Sequence, residues 1–307
     1  LEIRTFTGHS NNVSTMAFSP DGKLILTGSE DGTANLWDVE SGIAIRTFSG
    51  HRGGATSVAF SPDGTRILTG SFERAKMWDV ESGAEIWTFQ AGWVSSLAFS
   101  PDGKLVLTGS MDGTVKMWEV ETGEEIQAFE AHIEVSSVAF SPDGTRILTG
   151  GIWDSSAKLW DAKNGTEIRT FKFDGISVFS AAFSPDGSEV LIRTSNDSVK
   201  ILDVETGKVI RSFSGHSTVT SVAFSPDGRY ILTGDLENNW ATLWDIENGS
   251  VIRTFIGHTS SVNAVTFSPD GKYVLTGSGW NDNTAKLWDV ESGGVIRTFS
   301  GHQGGVT

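Results

Sequence analysis

The tetrapeptide Ser-Pro-Asp-Gly occurs seven times in 307 residues, beginning at Ser19, Ser61, Ser100, Ser141, Ser184, Ser225 and Ser268. The chain has seven prolines, and every one lies in this motif. Proline presets φ and glycine accepts positive φ, so each copy reads as a tight turn at a fixed place in a repeated unit. A second marker follows each turn: Trp37-Asp38, Trp78-Asp79, Trp118-Glu119, Trp160-Asp161, Leu202-Asp203, Trp244-Asp245 and Trp288-Asp289. His9 and His302 hold equivalent positions at the two ends, which sets the unit at about 42 residues. Self-similarity at that period signals one supersecondary unit stacked many times rather than two ordinary domains.

Four short strands can be read within each unit. In the first, Val13 to Phe18 is strand a and runs into the proline turn. Leu24-Ile25-Leu26 opens strand b, apolar on both faces as a strand sandwiched between neighbouring sheets must be. Asp31-Gly32 turns the chain into strand c, Thr33 to Val39. Glu40-Ser41-Gly42 turns it into strand d, Ile43 to Phe48, where polar and apolar residues alternate as on an outer strand. Helical spacing fits nowhere. A single unit cannot bury both of its faces, so units must stack and close. The expected architecture is all-β: a single seven-bladed β-propeller over residues 1–307, each blade a four-stranded antiparallel sheet.

The net charge of −15 is spread over the repeats, in turn and strand-end positions such as Asp21, Asp31, Asp38 and Glu40. It is therefore a property of the scaffold. It speaks against nucleic-acid and anionic-membrane partners, both of which need basic patches. No apolar run is long enough to span a bilayer, and the N-terminus lacks the pattern of a signal peptide. The chain starts at Leu1 rather than Met, as expected of an excised or processed piece. Cysteine is absent, which fits a reducing compartment, so a cytoplasmic location is the expectation.

Gly-His, Ser-Pro-Asp-Gly, Asp-Gly-Thr and Trp-Asp at fixed spacing resemble the WD-repeat (Trp-Asp repeat) β-propeller family over essentially the whole chain. The near-identity of the units is similar to highly repetitive bacterial WD-repeat domains, which serve as the sensing portion of multidomain signalling proteins. The resemblance implies a hydrogen-bonded tetrad in each blade: His in the d–a loop, Ser or Thr late in strand b, Asp in the b–c turn and Trp in strand c. The matching residues of blade 1 are His9, Ser29, Asp31 and Trp37, and the further strand-c tryptophans are Trp78, Trp118, Trp160, Trp244 and Trp288. A buried indole N–H and imidazole need such partners.

Several units depart from this pattern. Blade 2 has Glu73 at the turn, blade 3 reads Gly92-Trp93 in place of a His loop, and blade 4 has Gly151 for Ser. Blade 5 has no His, offers Asn196 for Asp and has Leu202 for Trp. A half-satisfied buried network is worse than an apolar one, so these losses belong together, and blade 5 is expected to be the softest. Two copies of strand d, residues 1–6 and 295–299, compete for one slot in blade 7. The family usually fills it with the N-terminal copy.

The six histidines all occupy one slot of the repeat, which marks them as structural and argues against a metal site. Nearly all Asp residues recur at three turn or strand-end positions, where Asp caps turns. A catalytic pair would be unique to one place, and no phosphate loop or nucleophile motif is present, so neither catalysis nor a cofactor is expected. The tryptophans outside strand c are more telling. Trp87 lies in a strand d, whereas Trp93 sits in a d–a loop and Trp153, Trp240 and Trp280 lie in or beside b–c turns. Strand direction alternates, so d–a loops and b–c turns emerge at one end of each blade. Phe72, Met111, Ile152 and Leu236 occupy equivalent turns at that end, where the loops also vary in length. Large apolar side chains in turns are disfavoured unless they meet something. They can meet a partner or pack on neighbouring loops. The leading expectation is a protein- or peptide-binding recognition module, with a purely structural array second and an enzyme using the central channel third.

Overall fold

The computed structural model describes residues 9, 11, 13–213, 218–278, 282 and 284–299. Among them are seven four-stranded antiparallel sheets, each paired in the order a-b-c-d, and no helix. Blade 1 comprises Val13–Phe18, Leu24–Ser29, Ala34–Asp38 and Ala44–Phe48, within a residue of the bounds read from the sequence. Blade 4 comprises Val135–Phe140, Arg146–Gly151, Ser156–Asp161 and Glu167–Lys172. Blade 5 comprises Val178–Phe183, Glu189–Thr194, Val199–Asp203 and Val209–Phe213. Blades 2 and 3 run from Ser57–Phe60 to Glu85–Phe89 and from Val94–Phe99 to Glu125–Glu130. Blades 6 and 7 run from Val219–Phe224 to Val251–Ile256 and from Val262–Phe267 to Val295–Phe299. This is the all-β, seven-bladed architecture that the repeat implied. The blades group into two compact units, blades 1, 6 and 7 in the first and blades 2 to 5 in the second.

The proline turn uses each of its residues. In blade 1 the Ser19 hydroxyl donates to the Asp21 carboxylate at 2.6 Å and accepts the Leu24 N–H at 2.9 Å. Gly22 closes the turn with φ of 71°, a conformation that costs a glycine nothing. Hydrogen bonds from Ser19, and from the Lys23 N–H, hold the Asp21 pKa below its ordinary value. The same constraint acts at every copy, which explains why the motif does not drift.

Neighbouring blades adhere through strand a. In the second unit Thr56, Ser95 and Ser136 donate hydroxyl protons to the carbonyls of Val94, Val135 and Val178 at 2.6–2.8 Å. Strand b packs so closely on the next strand a that a Cβ on Gly109 would stand 2.6 Å from Val135. Strand d supplies a second grip. Trp87 donates its indole N–H to the Val120 carbonyl at 3.0 Å, which places it at the blade edge as expected. Arg169 in the equivalent slot of blade 4 donates to the carbonyls of Glu205 and Thr206.

The outer strand of blade 7 is Val295–Phe299, hydrogen-bonded to Ala285–Asp289. The C-terminal copy therefore completes that blade, where the family habit pointed to the N-terminal one. Residues 1–6 lie outside the described residues. Within the first unit, Arg297 donates to the carbonyls of Val39 and Glu40 at 2.6 and 2.8 Å, tying blade 7 to the c–d turn of blade 1.

Candidate functional site

The tetrads form in three of the described blades, with one correction. The hydroxyl that links His9 to Trp37 belongs to Thr27 and not to Ser29. Trp37 stands opposite Ile25 in the b–c ladder, so its indole reaches the diagonal neighbour Thr27 on the same face. Ser29 lies one pleat further along, by roughly 7 Å. It receives the Asp31 N–H and donates to the Asn11 carbonyl instead.

Blade 4 shows the chemistry in full. Trp160 Nε1 donates to Thr149 Oγ1 at 2.9 Å, and Thr149 Oγ1 meets His132 Nε2 at 2.7 Å. The Asp154 carboxylate can only accept, so in the neutral imidazole Nε2 is the acceptor and the threonine proton points to it. His132 Nδ1 then carries the hydrogen that reaches Asp154 at 2.7 Å. Burial pulls the His132 pKa below its ordinary value, against the opposing pull of Asp154, and does the same to His9. Gly151 is required here, because a Cβ would strike both His132 and Asp154. In blade 7 His258 meets Thr276 at 2.7 Å and Asp282 at 3.1 Å. Burial works to raise the Asp282 pKa, but hydrogen bonds from His258, Thr284 and the Thr259 N–H hold it well below the carboxylate range. Trp78, Trp118 and Trp244 likewise donate to Thr69, Thr108 and Thr233 at 2.8–3.0 Å. These imidazoles and carboxylates are engaged inside their own blades.

The loop end of the second unit carries the other candidates. Trp93 is 46% exposed and packs edge-on against the exposed Phe72 of the preceding blade, ring centroids 4.6 Å apart. Its carbonyl accepts the Met111 N–H at 2.9 Å, which joins a third exposed side chain. The Gly113 carbonyl accepts the Ala131 N–H, and the Glu134 carbonyl accepts the Ile152 N–H. Trp153 is 65% exposed beside a half-buried Ile152. Phe72, Trp93, Met111 and Trp153 thus stand on loops stitched together by backbone hydrogen bonds across blades 2 to 4.

The first unit is different. Leu236 is exposed in its turn, but Trp240 is the first residue of strand c, half-buried and paired with Ile256. It lies beside the b–c turn, at the point where strand c opens. Trp280 lies outside the described residues.

Two features escaped sequence reasoning. Ile133, in the d–a loop of blade 4, is 61% exposed and extends the same row of loops. In blade 5 the partly exposed Phe179 holds the Arg193 guanidinium 4.8 Å from its ring centroid. Burial lowers the Arg193 pKa to about 10, so it stays cationic at neutral pH. The second is legible afterwards as a break in the repeat, since Arg193 stands where the other blades have glycine and Phe179 where Ser95 and Ser136 stand.

Comparison with known proteins fits this geometry. Residues 1–178, more than half of the chain, match the family model described as the IFT122 first beta-propeller. Residues 207–245 and 249–289 match the model of the WD domain, G-beta repeat. A target of rapamycin complex subunit, wat1, of Schizosaccharomyces pombe is 49% identical over 41 residues, 13% of each chain. A guanine nucleotide-binding protein subunit beta of Nicotiana tabacum is 54% identical over 39 residues, 13% of this chain and 10% of that protein. WD repeat-containing protein 38 of Homo sapiens is 48% identical over 40 residues, 13% of each. The chain thus spans about an eighth or less of the length of these relatives, one repeat in each case. All three are eukaryotic, so they lend no support to the bacterial likeness expected from the repeats. Their fold is typical of protein-interaction scaffolds. With the family model matched over more than half its length, this chain belongs to the WD-repeat propellers of the IFT122 first beta-propeller family.

Proposed function

We propose that the chain is a protein- or peptide-recognition module that binds through the loop end of blades 2 to 4 and carries out no catalysis of its own. The observation that supports this most is the row of exposed apolar side chains, Phe72, Trp93, Met111, Ile133 and Trp153, on loops otherwise short and polar. Exposed aromatic side chains in this number mark contact surfaces more often than solvent-facing ones, and tryptophan is the side chain most enriched in binding hot spots.

The charge of the same loops narrows the partner. The d–a loops and b–c turns of the second unit carry Glu73, Asp112, Glu134, Asp154, Asp174 and Asp197 against a single cation, Arg74. Arg74 is itself bonded to Glu73 at 3.2 Å. A segment with apolar anchors flanked by Lys or Arg fits such a surface. The proposal extends to a role as the sensing portion of a larger signalling protein; the relatives that share one repeat with the chain include a guanine nucleotide-binding protein subunit beta and a target of rapamycin complex subunit.

Peptides selected from a random library on the intact chain provide the test, with affinities measured for the chain and its variants. Trp93→Ala and Trp153→Ala are expected to weaken the selected peptides by about tenfold or more each, the scale of a binding hot spot. Substitutions of the Ser-Pro-Asp-Gly turn neighbours Lys104 and Thr145 are expected to leave affinity unchanged. Peptides that bind both tryptophan variants normally would overturn the proposal.

A further inference from the structure

Blade 5 differs from its neighbours around one slot, and a cavity lies beside that slot. In blades 3 and 4 the strand-c indole stacks on a phenylalanine from the preceding strand d: Phe89 on Trp118 at 5.2 Å and Phe129 on Trp160 at 4.7 Å. The corresponding pair in blade 5 is Phe171 and Leu202, both buried in one apolar cluster. Leucine is smaller than an indole. Part of the lost volume is returned by Phe173, which stands where blade 4 has Ala131. Beside this cluster lies a surface cavity of about 320 Å³, whose lining includes Phe171, Phe173, Leu202 and Val209.

The charges around it have changed as well. In blades 2, 3 and 4 the strand-c lysine lies over the tryptophan ring and is ion-paired across to strand d: Lys76 with Glu85 at 2.6 Å, Lys116 with Glu125 at 2.9 Å and Lys158 with Glu167 at 3.4 Å. In blade 5 Lys200 lies over Phe173 instead, 5.7 Å from the ring centroid. The position of the pairing glutamate is held by Val209, which is 51% exposed. Lys200 has no ion pair among the described residues. Arg169 and Lys172 line the same cavity, against one carboxylate, Asp174. With Arg169 tied to the Glu205 and Thr206 carbonyls and beside Asp203, Lys172 and Lys200 make this spot more basic than the rest of a chain of net charge −15.

We propose that this slot between blades 4 and 5 binds a small amphiphilic anion, an aryl or short alkyl group carrying a carboxylate. The apolar part rests on Val209 and the edge of Phe173, and the carboxylate faces Lys200 and Lys172. The volume lies at the small end of ligand pockets, which suits a ligand of about ten non-hydrogen atoms. The site shares Asp174 with the loop end but none of Phe72, Trp93, Met111, Ile133 and Trp153, so each proposal is tested by variants that leave the other untouched.

Phenylacetate and its neutral counterpart phenylacetamide are the probes, titrated into the intact chain with binding followed by amide chemical shifts of labelled protein. Phenylacetate is expected to saturate with a Kd of about 1 mM or tighter, shifting amides of residues 169–174 and 199–209, and phenylacetamide to bind at least about fivefold more weakly. Val209→Glu gives Lys200 the carboxylate its siblings have, and is expected to weaken phenylacetate about tenfold while leaving the melting temperature unchanged. Lys200→Met, which keeps the stem over Phe173, is expected to do the same should the glutamate variant fail to fold. No saturation by about 10 mM, equal affinity for acid and amide, or unchanged affinity in the folded variants would each overturn the assignment.

Discussion

Blades 4 and 5 are neighbours in one unit, built on the same repeat, and they fill the same inter-sheet slot in opposite ways. Blade 4 buries a polar chain, Trp160 to Thr149 to His132 to Asp154, in which each donor meets an acceptor. Blade 5 buries none of it: Ile192 replaces the threonine, Leu202 the tryptophan, and Phe173 fills in from the loop side. Either solution leaves few unpaired groups, and a mixture of the two would not. In blade 5 the tetrad is thus replaced as a set, whereas blade 3 keeps the bond from Trp118 to Thr108 although Gly92 stands where the histidine would.

Breaking blade 4 at its largest side chain should have the largest effect. Trp160→Ala removes a buried indole, its stacking on Phe129 and its hydrogen bond, and is expected to cost about 3–5 kcal/mol in urea unfolding. Leu202→Ala should cost less, because the slot beside it is already partly open.

Mixing the two solutions is the sharper test. Thr149→Val leaves both the Trp160 N–H and His132 Nε2 without the hydroxyl they share, an expected loss of about 1–3 kcal/mol. Ile192→Thr in blade 5 introduces a hydroxyl among apolar neighbours and is expected to cost about the same, although it moves that blade toward the repeat. Stabilisation by the second substitution would show that the blades do not obey a common rule.

The same contrast predicts a pH dependence. The folded His132 pKa lies below its ordinary 6.5, so on acidification the unfolded chain takes up its proton first. Stability from this group is complete above pH 6.5 and falls as the pH drops below it. Carboxylates such as Asp143, held below their ordinary 3.8 by the Ser141 hydroxyl, act in the same direction at lower pH. The hydrogen-exchange protection factors, taken against the intrinsic rate at each pH, should therefore fall in the central strands of blade 4 between pH 7 and 5, and much less in blade 5, which has no such imidazole. At pH 7 the order reverses, with blade 5 opening more readily because of its partly vacant slot. The smallest effect is expected at the loop end, where Trp153→Ala should change stability by no more than about 0.5 kcal/mol.

Much of this was legible in the sequence, for a definite reason. Strand bounds and blade number follow from turns whose chemistry tolerates no substitution, so Ser141, Asp143 and Gly144 identify a turn as surely as the hydrogen bonds do. The loss of the network in blade 5 was visible in Leu202. The threonine of the tetrad was not, because Thr27 and Ser29 lie on the same face of one strand, and only the reach of the Trp37 indole separates them. The compensating Phe173 was hidden too, since it sits outside the motif and acts across two blades. At the candidate site, exposure of Trp93 and Trp153 was anticipated from their turns, whereas for Trp240, which lies beside its b–c turn, the varying length of that turn hid that it opens the strand and is half-buried. The contact of Phe72 with Trp93 joins loops of different blades and has no signature in either.

The most direct measurement on the proposed function is a hydrogen-exchange footprint of a selected peptide on the intact chain. Binding at the loop end will slow exchange in residues 90–93, 111–113, 131–134 and 152–155, and leave the Ser-Pro-Asp-Gly turns at 61–64, 100–103 and 141–144 as they were. Protection of those turns with exchange at Trp93 and Trp153 unchanged would contradict it.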